Sequence, residues 1–448
     1  MASPKLLDLP VEILTAICQL LCTHCDELKT IIRPMVEDDM DMKLPREHRI
    51  RLIEKQEIER VKKQEGLKSL GQTSRLLRRI ALPIRYHYIG TLRPGYLETI
   101  KTLYSRNDVA LAVRRVTLGD EIYGPTDAQK DVSVIGEETL RRIGIQIPDR
   151  LPHQEYQSMN HFQLDTILVR TTNIEHLDIW VRSVEEYGAF LPEAITFPHL
   201  RFLDLTYYDT EGSFCMDRVF TLLHKTPNLE EMKTWMCNSF AYVDPPLLHM
   251  KSIEMAHSNI SADDLDVIAH ACPRLETFLF ETNYGGQPYD ARRDFTGRDA
   301  CEMLLPLKDT LRRLELNLSE SLHMHMDEDD GPEIVMTDLR QFRALQTLRL
   351  SVDCVYDDDS DSEADEEVDQ DRLVNLLPSS IQVFDLRSFC GENEVMPRHM
   401  QHLLALARAV SESKFPYLRQ VCVSASSDAR KDDIVREAFA STGVEYVM

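Results

Sequence analysis

Glycine is scarce, 16 in 448 residues, which disfavours all-β folds and enzymes built on glycine-rich loops. No apolar run approaches the length of a membrane-spanning helix, and no secretory leader precedes Lys5-Leu6-Leu7. Positive charge is in deficit. The net charge of −24 argues against nucleic acid or an anionic membrane as a partner. The ten cysteines form no disulfide-like framework, so a reducing compartment is expected, cytoplasmic, nuclear or both. No GxGxxG, Walker loop, GxSxG or HExxH occurs. The expectation is a protein that is not an enzyme and carries no cofactor.

What is present is a recurring spacing: apolar, two residues, apolar, one residue, apolar. It is clearest at Ile174/Leu177/Ile179. It returns at Leu200/Leu203/Leu205, Met250/Ile253/Met255, Leu275/Phe278/Phe280, Leu311/Leu314/Leu316, Leu345/Leu348/Leu350, Ile381/Phe384/Leu386 and Leu418/Val421/Val423. Val113/Val116/Leu118 and Leu229/Met232 are looser copies, and from Ile174 on the starts lie about 21–37 residues apart. Side chains alternate along a strand, so the last two apolar residues of each copy point to one face. One unit cannot bury that face alone, but stacked units make a continuous core. Helical spacing fills the intervals, as at Met216–His224, Ala262–Ala271, Asp299–Leu307, Arg372–Leu377 and His399–Val410. Pro198, Pro227, Pro273 and Pro416 are expected to stop each helix before the next strand.

A repeat of this size and pattern resembles the leucine-rich repeat. The resemblance implies an α/β fold, a solenoid with a curved parallel sheet and outer helices, over residues 91–448. The usual Asn or Cys after the strand is met only by Cys237 and Asn283.

The N-terminus reads differently. Leu9-Pro10-x-Glu12-Ile13-Leu14-x-x-Ile17 opens a helix, with Pro10 at its start and Glu12 in its first turn. Later, Leu67, Leu70, Ser74, Leu77 and Ala81 share one helical stripe that Pro83 should end. With Thr73-Ser74-Arg75, Arg78 and Tyr86, these pieces resemble the two halves of an F-box, a small all-α module over residues 1–90. The resemblance implies docking on the adaptor subunit of SCF-type cullin ubiquitin ligases through Leu9, Pro10, Ile13, Leu14, Ile17, Leu70 and Leu77. A charged helical insertion, 26–65, separates the halves, which a usual F-box joins by a few residues. A disordered acidic loop is expected at 355–371, with Ser360 and Ser362 as candidate phosphorylation sites because an acid lies three residues after each.

Together, an F-box and leucine-rich repeats imply the substrate-recognition subunit of a ubiquitin ligase. The alternative is a leucine-rich-repeat scaffold without a ubiquitin role. The strand residues that face away from the core supply the candidate target-binding set: Asp178, Trp180, Asp204, Glu231, Trp235, Glu254 and Glu281, a row of acids suited to a basic segment of a protein target. A one-residue register slip would instead bury Trp235 in place of the poor core residue Thr234. Cys22-Thr23-His24-Cys25 has the spacing of half a zinc site. No second pair stands nearby in sequence, so helix-end packing is expected and no metal. His323-Met324-His325-Met326 reads as surface.

Overall fold

A computed structural model of the chain describes residues 6–22, 25, 62–90, 96–118, 138, 141, 159–181, 186–189, 191–207, 212–240, 247–282, 295–318, 335–356, 370–387, 397–423 and 429–447. Most of the 26–65 insertion, residues 357–369 of the acidic loop with Ser360 and Ser362, and the His323–Met326 tetrapeptide lie outside them. Two compact units divide the chain: residues 1–179 with 187–200, and residues 180–186 with 201–448. The first unit thus takes in the expected 1–90 module together with three strands.

In the first unit, helix α1 (Val11–Leu20) is followed by a helical run, 62–73, and by α2 (Arg75–Arg85). The single helical stripe expected from Leu67 to Ala81 is therefore two helices rather than one. Ser74 takes an extended backbone and accepts a hydrogen bond from the Leu77 amide at 3.1 Å, capping α2 and breaking the run before it. Pro83 does not end α2. It lies inside the last turn, and the helix closes at Arg85. Leu67, Ala81, Ile84, Cys18 and Cys22 form the core between these helices, with Leu21, Leu70 and Ile80 packed against it.

Strand β1 (Tyr88–Gly90) follows at once, then α3 (Tyr96–Ser105), α4 (Asn107–Ala110), β2 (Arg115–Leu118), α5 (Met159–Leu168) and β3 (His176–Val181). The three strands are parallel in sequence order, with Val116 beside Leu177 and Leu118 beside Ile179. Burial alternates along β3 as the apolar pattern requires.

Among the described residues the second unit carries nine parallel strands in its main sheet, again in sequence order: β4 (Phe202–Tyr207), β6 (Glu231–Trp235), β8 (Ser252–Ser258), β9 (Thr277–Thr282), β10 (Arg313–Asn317), β11 (Thr347–Ser351), β12 (Val383–Arg387), β13 (Gln420–Val423) and β14 (Glu445–Val447). Short strands β5 (Phe214–Cys215) and β7 (Cys237–Ser239) pair separately. The register sets Leu203, Met232, Ile253, Phe278, Leu314, Leu348, Phe384 and Val421 in one buried row. Leu205, Thr234, Met255, Phe280, Leu316, Leu350, Leu386 and Val423 make the second. All but Thr234 are the last or middle apolar residue of one sequence copy, so the spacing and the sheet register agree. Thr234 is the one polar member. It stays in register, its hydroxyl is buried without a hydrogen-bond partner, and Trp235 faces the other side. No slip has occurred.

Helices α6 (Phe220–Leu223), α7 (Ala262–Ala271), α8 (Gly297–Met303), α9 (Arg372–Leu376), α10 (Pro397–Ser411) and α11 (Ala429–Ala440) lie between strands. Capping boxes start two of them, Ser261 with Asp264 and Thr296 with Asp299. At Gly297 a side chain has no room. A Cβ there would stand 2.8 Å from the Met336 amide nitrogen and 3.1 Å from the Cys354 carbonyl. Pro273 follows α7 directly. Pro416 does not stop α10, because Ser413, at φ 64, turns the chain first. The observed architecture is α/β, with helices between the strands of a large parallel sheet.

Candidate interaction surfaces

Helix α1 carries two apolar stripes. Leu14, Cys18 and Leu21, spaced four and three residues apart, point inward, with Leu14 and Cys18 fully buried. Ile13, Ile17 and Leu20 form the neighbouring stripe, and there Ile13 is 47% and Leu20 71% exposed. Among the described residues ten large apolar side chains are exposed, and six of them are Leu6, Leu7, Val11, Ile13, Leu20 and Leu76. Exposed apolar surface is therefore concentrated around α1. The expected adaptor residues divide accordingly. Pro10 and Ile13 are exposed, Leu9, Ile17 and Leu70 are half-buried, and Leu14 and Leu77 are buried and offer no surface.

The strand face away from the core is polar and largely self-paired. In the first unit Arg115 on β2 donates from Nε and Nη2 to Asp178 at 3.0 and 2.8 Å, and the Thr117 hydroxyl donates to the same oxygen at 2.6 Å. His176 beside them is pushed down to about 4, by burial first and the Arg115 charge second. Asp178 is thus already neutralised. Sequence reading missed this because Arg115 lies on the looser copy at β2, 63 residues away.

In the second unit Lys233 pairs with Glu254 at 2.5 Å. Further along, Arg313 meets Glu315 at 2.6 Å, Arg349 bridges Glu315 at 3.1 Å and Asp385 at 2.9 Å, and Arg387 reaches Asp385 at 2.9 Å. Three cations and two carboxylates alternate across β10–β12. Burial, outweighing Arg349, raises the Asp385 carboxyl above the usual range. Glu281 is held at about 7, chiefly by burial. Asp204 and Glu231 are half-buried on the same face. Trp180 is half-buried too, and the Trp235 ring lies 4.1 Å from His257 at a tilt of 59°. Both His257 and Met236 hold positive φ, at 47° and 64°, so the backbone bends sharply beyond Trp235.

A third cluster was not expected. His87, in the turn between α2 and β1, has Nδ1 3.5 Å from the Cys25 Sγ, and Cys22 lies beside both. Cys22 and Cys25 titrate together. The hydrogen bond from Cys25 lowers the Cys22 thiol, and Cys25, holding the shared proton, is raised. The 62-residue gap between Cys25 and His87 hid this grouping from sequence. Compared with known proteins, the chain matches no family model, and no curated protein is significantly similar to it.

Proposed function

We propose that the chain is a non-catalytic substrate receptor of an SCF-type ubiquitin ligase, an F-box followed by leucine-rich repeats. The observation that carries this reading is the outward stripe of α1. A helix with one stripe spent on its own core and a second one left in water has an interaction surface to cover. The Leu9-Pro10 start of that helix supports the adaptor as its occupant. The polar strand face offers Trp180 and Trp235, with the half-buried acids Asp204 and Glu231, to a protein target. The mechanism is proximity. One surface holds the ligase, the other holds the target, and ubiquitin is transferred by other subunits.

The test is co-purification with the adaptor. Leu9→Ala/Pro10→Ala and Ile13→Asp/Leu20→Asp should each weaken capture by about 2 kcal/mol or more while the chain stays folded, since the altered groups are at the surface or half-buried. Unchanged capture by both folded variants would overturn the reading. Adaptor binding with no ubiquitin transfer to any captured protein would favour the scaffold alternative.

A further inference from the structure

We propose that Cys22, Cys25 and His87 bind a zinc ion through three protein ligands and so staple the N-terminal helices to the first strand. The two thiols and the His87 Nδ1 all lie within 4.8 Å of one another. In a tetrahedral site with Zn–S near 2.3 Å and Zn–N near 2.0 Å, sulfur and nitrogen ligands sit ~3.5 Å apart and two sulfurs ~3.8 Å apart. The Cys25–His87 separation of 3.5 Å already has that value. Thiolate and imidazole together are the donor set that suits zinc, whereas magnesium and calcium take oxygen.

Two of the three ligands are held in place by other contacts. Cys22 follows α1 and is anchored in the helical core, its Sγ 3.5 Å from the Ile84 carbonyl. His87 sits in a tight turn, its amide donating to the Ile84 carbonyl at 3.1 Å. Its own carbonyl accepts from the Arg114 and Arg115 amides at 2.9 and 2.8 Å, which ties the turn to β2. A metal here would join the end of α1, the end of α2 and the start of β1. Binding replaces the thiol protons, which leave to solvent, with two S–Zn bonds and one N–Zn bond. No oxidant or reductant is needed, and the fourth position falls to water or another small ligand.

Cobalt(II) reports on such a site, because thiolate ligation gives a near-ultraviolet charge-transfer band and tetrahedral geometry gives intense visible bands. The full reduced chain should bind cobalt(II) with both signatures, and zinc(II) should displace it. Cys22→Ser/Cys25→Ser should lose the charge-transfer band. His87→Ala should weaken binding about tenfold or more, since even second-shell changes cost that much. A measurement on the unaltered protein guards against variants that fail to fold. Zinc should protect Cys22 and Cys25 from alkylation, read by peptide mass mapping, and a chelator should restore their labelling and lower the melting temperature. No thiolate charge-transfer band, unchanged affinity in His87→Ala, unprotected thiols, or recovery of a Cys22–Cys25 disulfide from zinc-supplemented protein would each overturn the proposal.

Discussion

Helix α1 and the strand face are both surfaces, but they leave opposite things to water. On α1 large apolar side chains meet solvent, Ile13 and Leu20 among them. On the strand face the charges meet one another before they meet solvent, as in the alternation Arg313, Glu315, Arg349, Asp385, Arg387. The first arrangement gains by covering apolar area. The second gains little from a new charge, because each carboxylate in the alternation has its cation and a partner must compete with it. A row of acids in the sequence is therefore a poor measure of the field it presents. Asp178, with Arg115 and Thr117 already on it, is the clearest case.

The comparison breaks most easily on α1, where neighbours in sequence should behave oppositely. Leu14→Ala removes a side chain 1% exposed and should cost roughly 2–5 kcal/mol in urea unfolding. Ile13→Ala should cost well under about 1 kcal/mol and show its effect in adaptor capture instead. Equal losses of stability would mean that the two stripes are one core.

The charged face is next. Arg349→Ala takes one of two cations from each of Glu315 and Asp385, whose side chains are only 10% and 6% exposed, and leaves them to Arg313 and Arg387. With two charge-assisted hydrogen bonds lost, chemical denaturation should show a loss of about 3 kcal/mol, partly restored in Arg349→Lys. A loss near zero would make the alternation a surface decoration.

Glu281 sharpens the contrast through pH. Its folded pKa is about 7 against an ordinary 4.5. Between those values the unfolded chain gives up the proton and the folded chain keeps it, so this group's contribution to stability is lost as pH rises across the window. Glu281→Gln should therefore exceed wild type by on the order of 2–3 kcal/mol at pH 8, the difference shrinking to nothing near pH 4.5. His176 works the other way. Its folded value of about 4 lies below the ordinary 6.5, so its contribution is lost as pH falls from about 6.5 to 4. A flat difference curve for Glu281→Gln would show that the carboxyl is ionised in the folded state.

Thr234→Val should stabilise by about 1–2 kcal/mol, because it replaces a buried hydroxyl that has no partner with a methyl of similar shape in an apolar row. A change in folding stability of about 1 kcal/mol is expected for Trp180→Ala on the half-buried face. If Trp180 anchors a target, affinity should fall by about 2–4 kcal/mol in the same variant.

The strands were legible in the sequence because their signal is local. Alternation at Leu177/Ile179 or Phe278/Phe280 needs only neighbours, and the Ala262–Ala271 helix was readable end to end for the same reason. The register followed as well, since a slip of one residue would bury a whole polar row. Even Thr234, a poor core residue, is held in place by seven apolar companions in its row. The helix ends were less legible. Pro83 and Pro416 are strong local signals, but Tyr86 and Ser413 are where the chain turns away.

What the sequence by itself determined is the α/β class, the main-sheet strands from β2 to β13 and which of their residues face inward. These follow from periodicity and steric preference, which act over a few residues. What only the tertiary structure decided is which α1 stripe stays in water, that Arg115 neutralises Asp178, and that His87 arrives beside Cys22 and Cys25. Each of these depends on residues about 60 positions apart meeting in space, and no local spacing encodes which distant side chain will fill a given neighbour's reach.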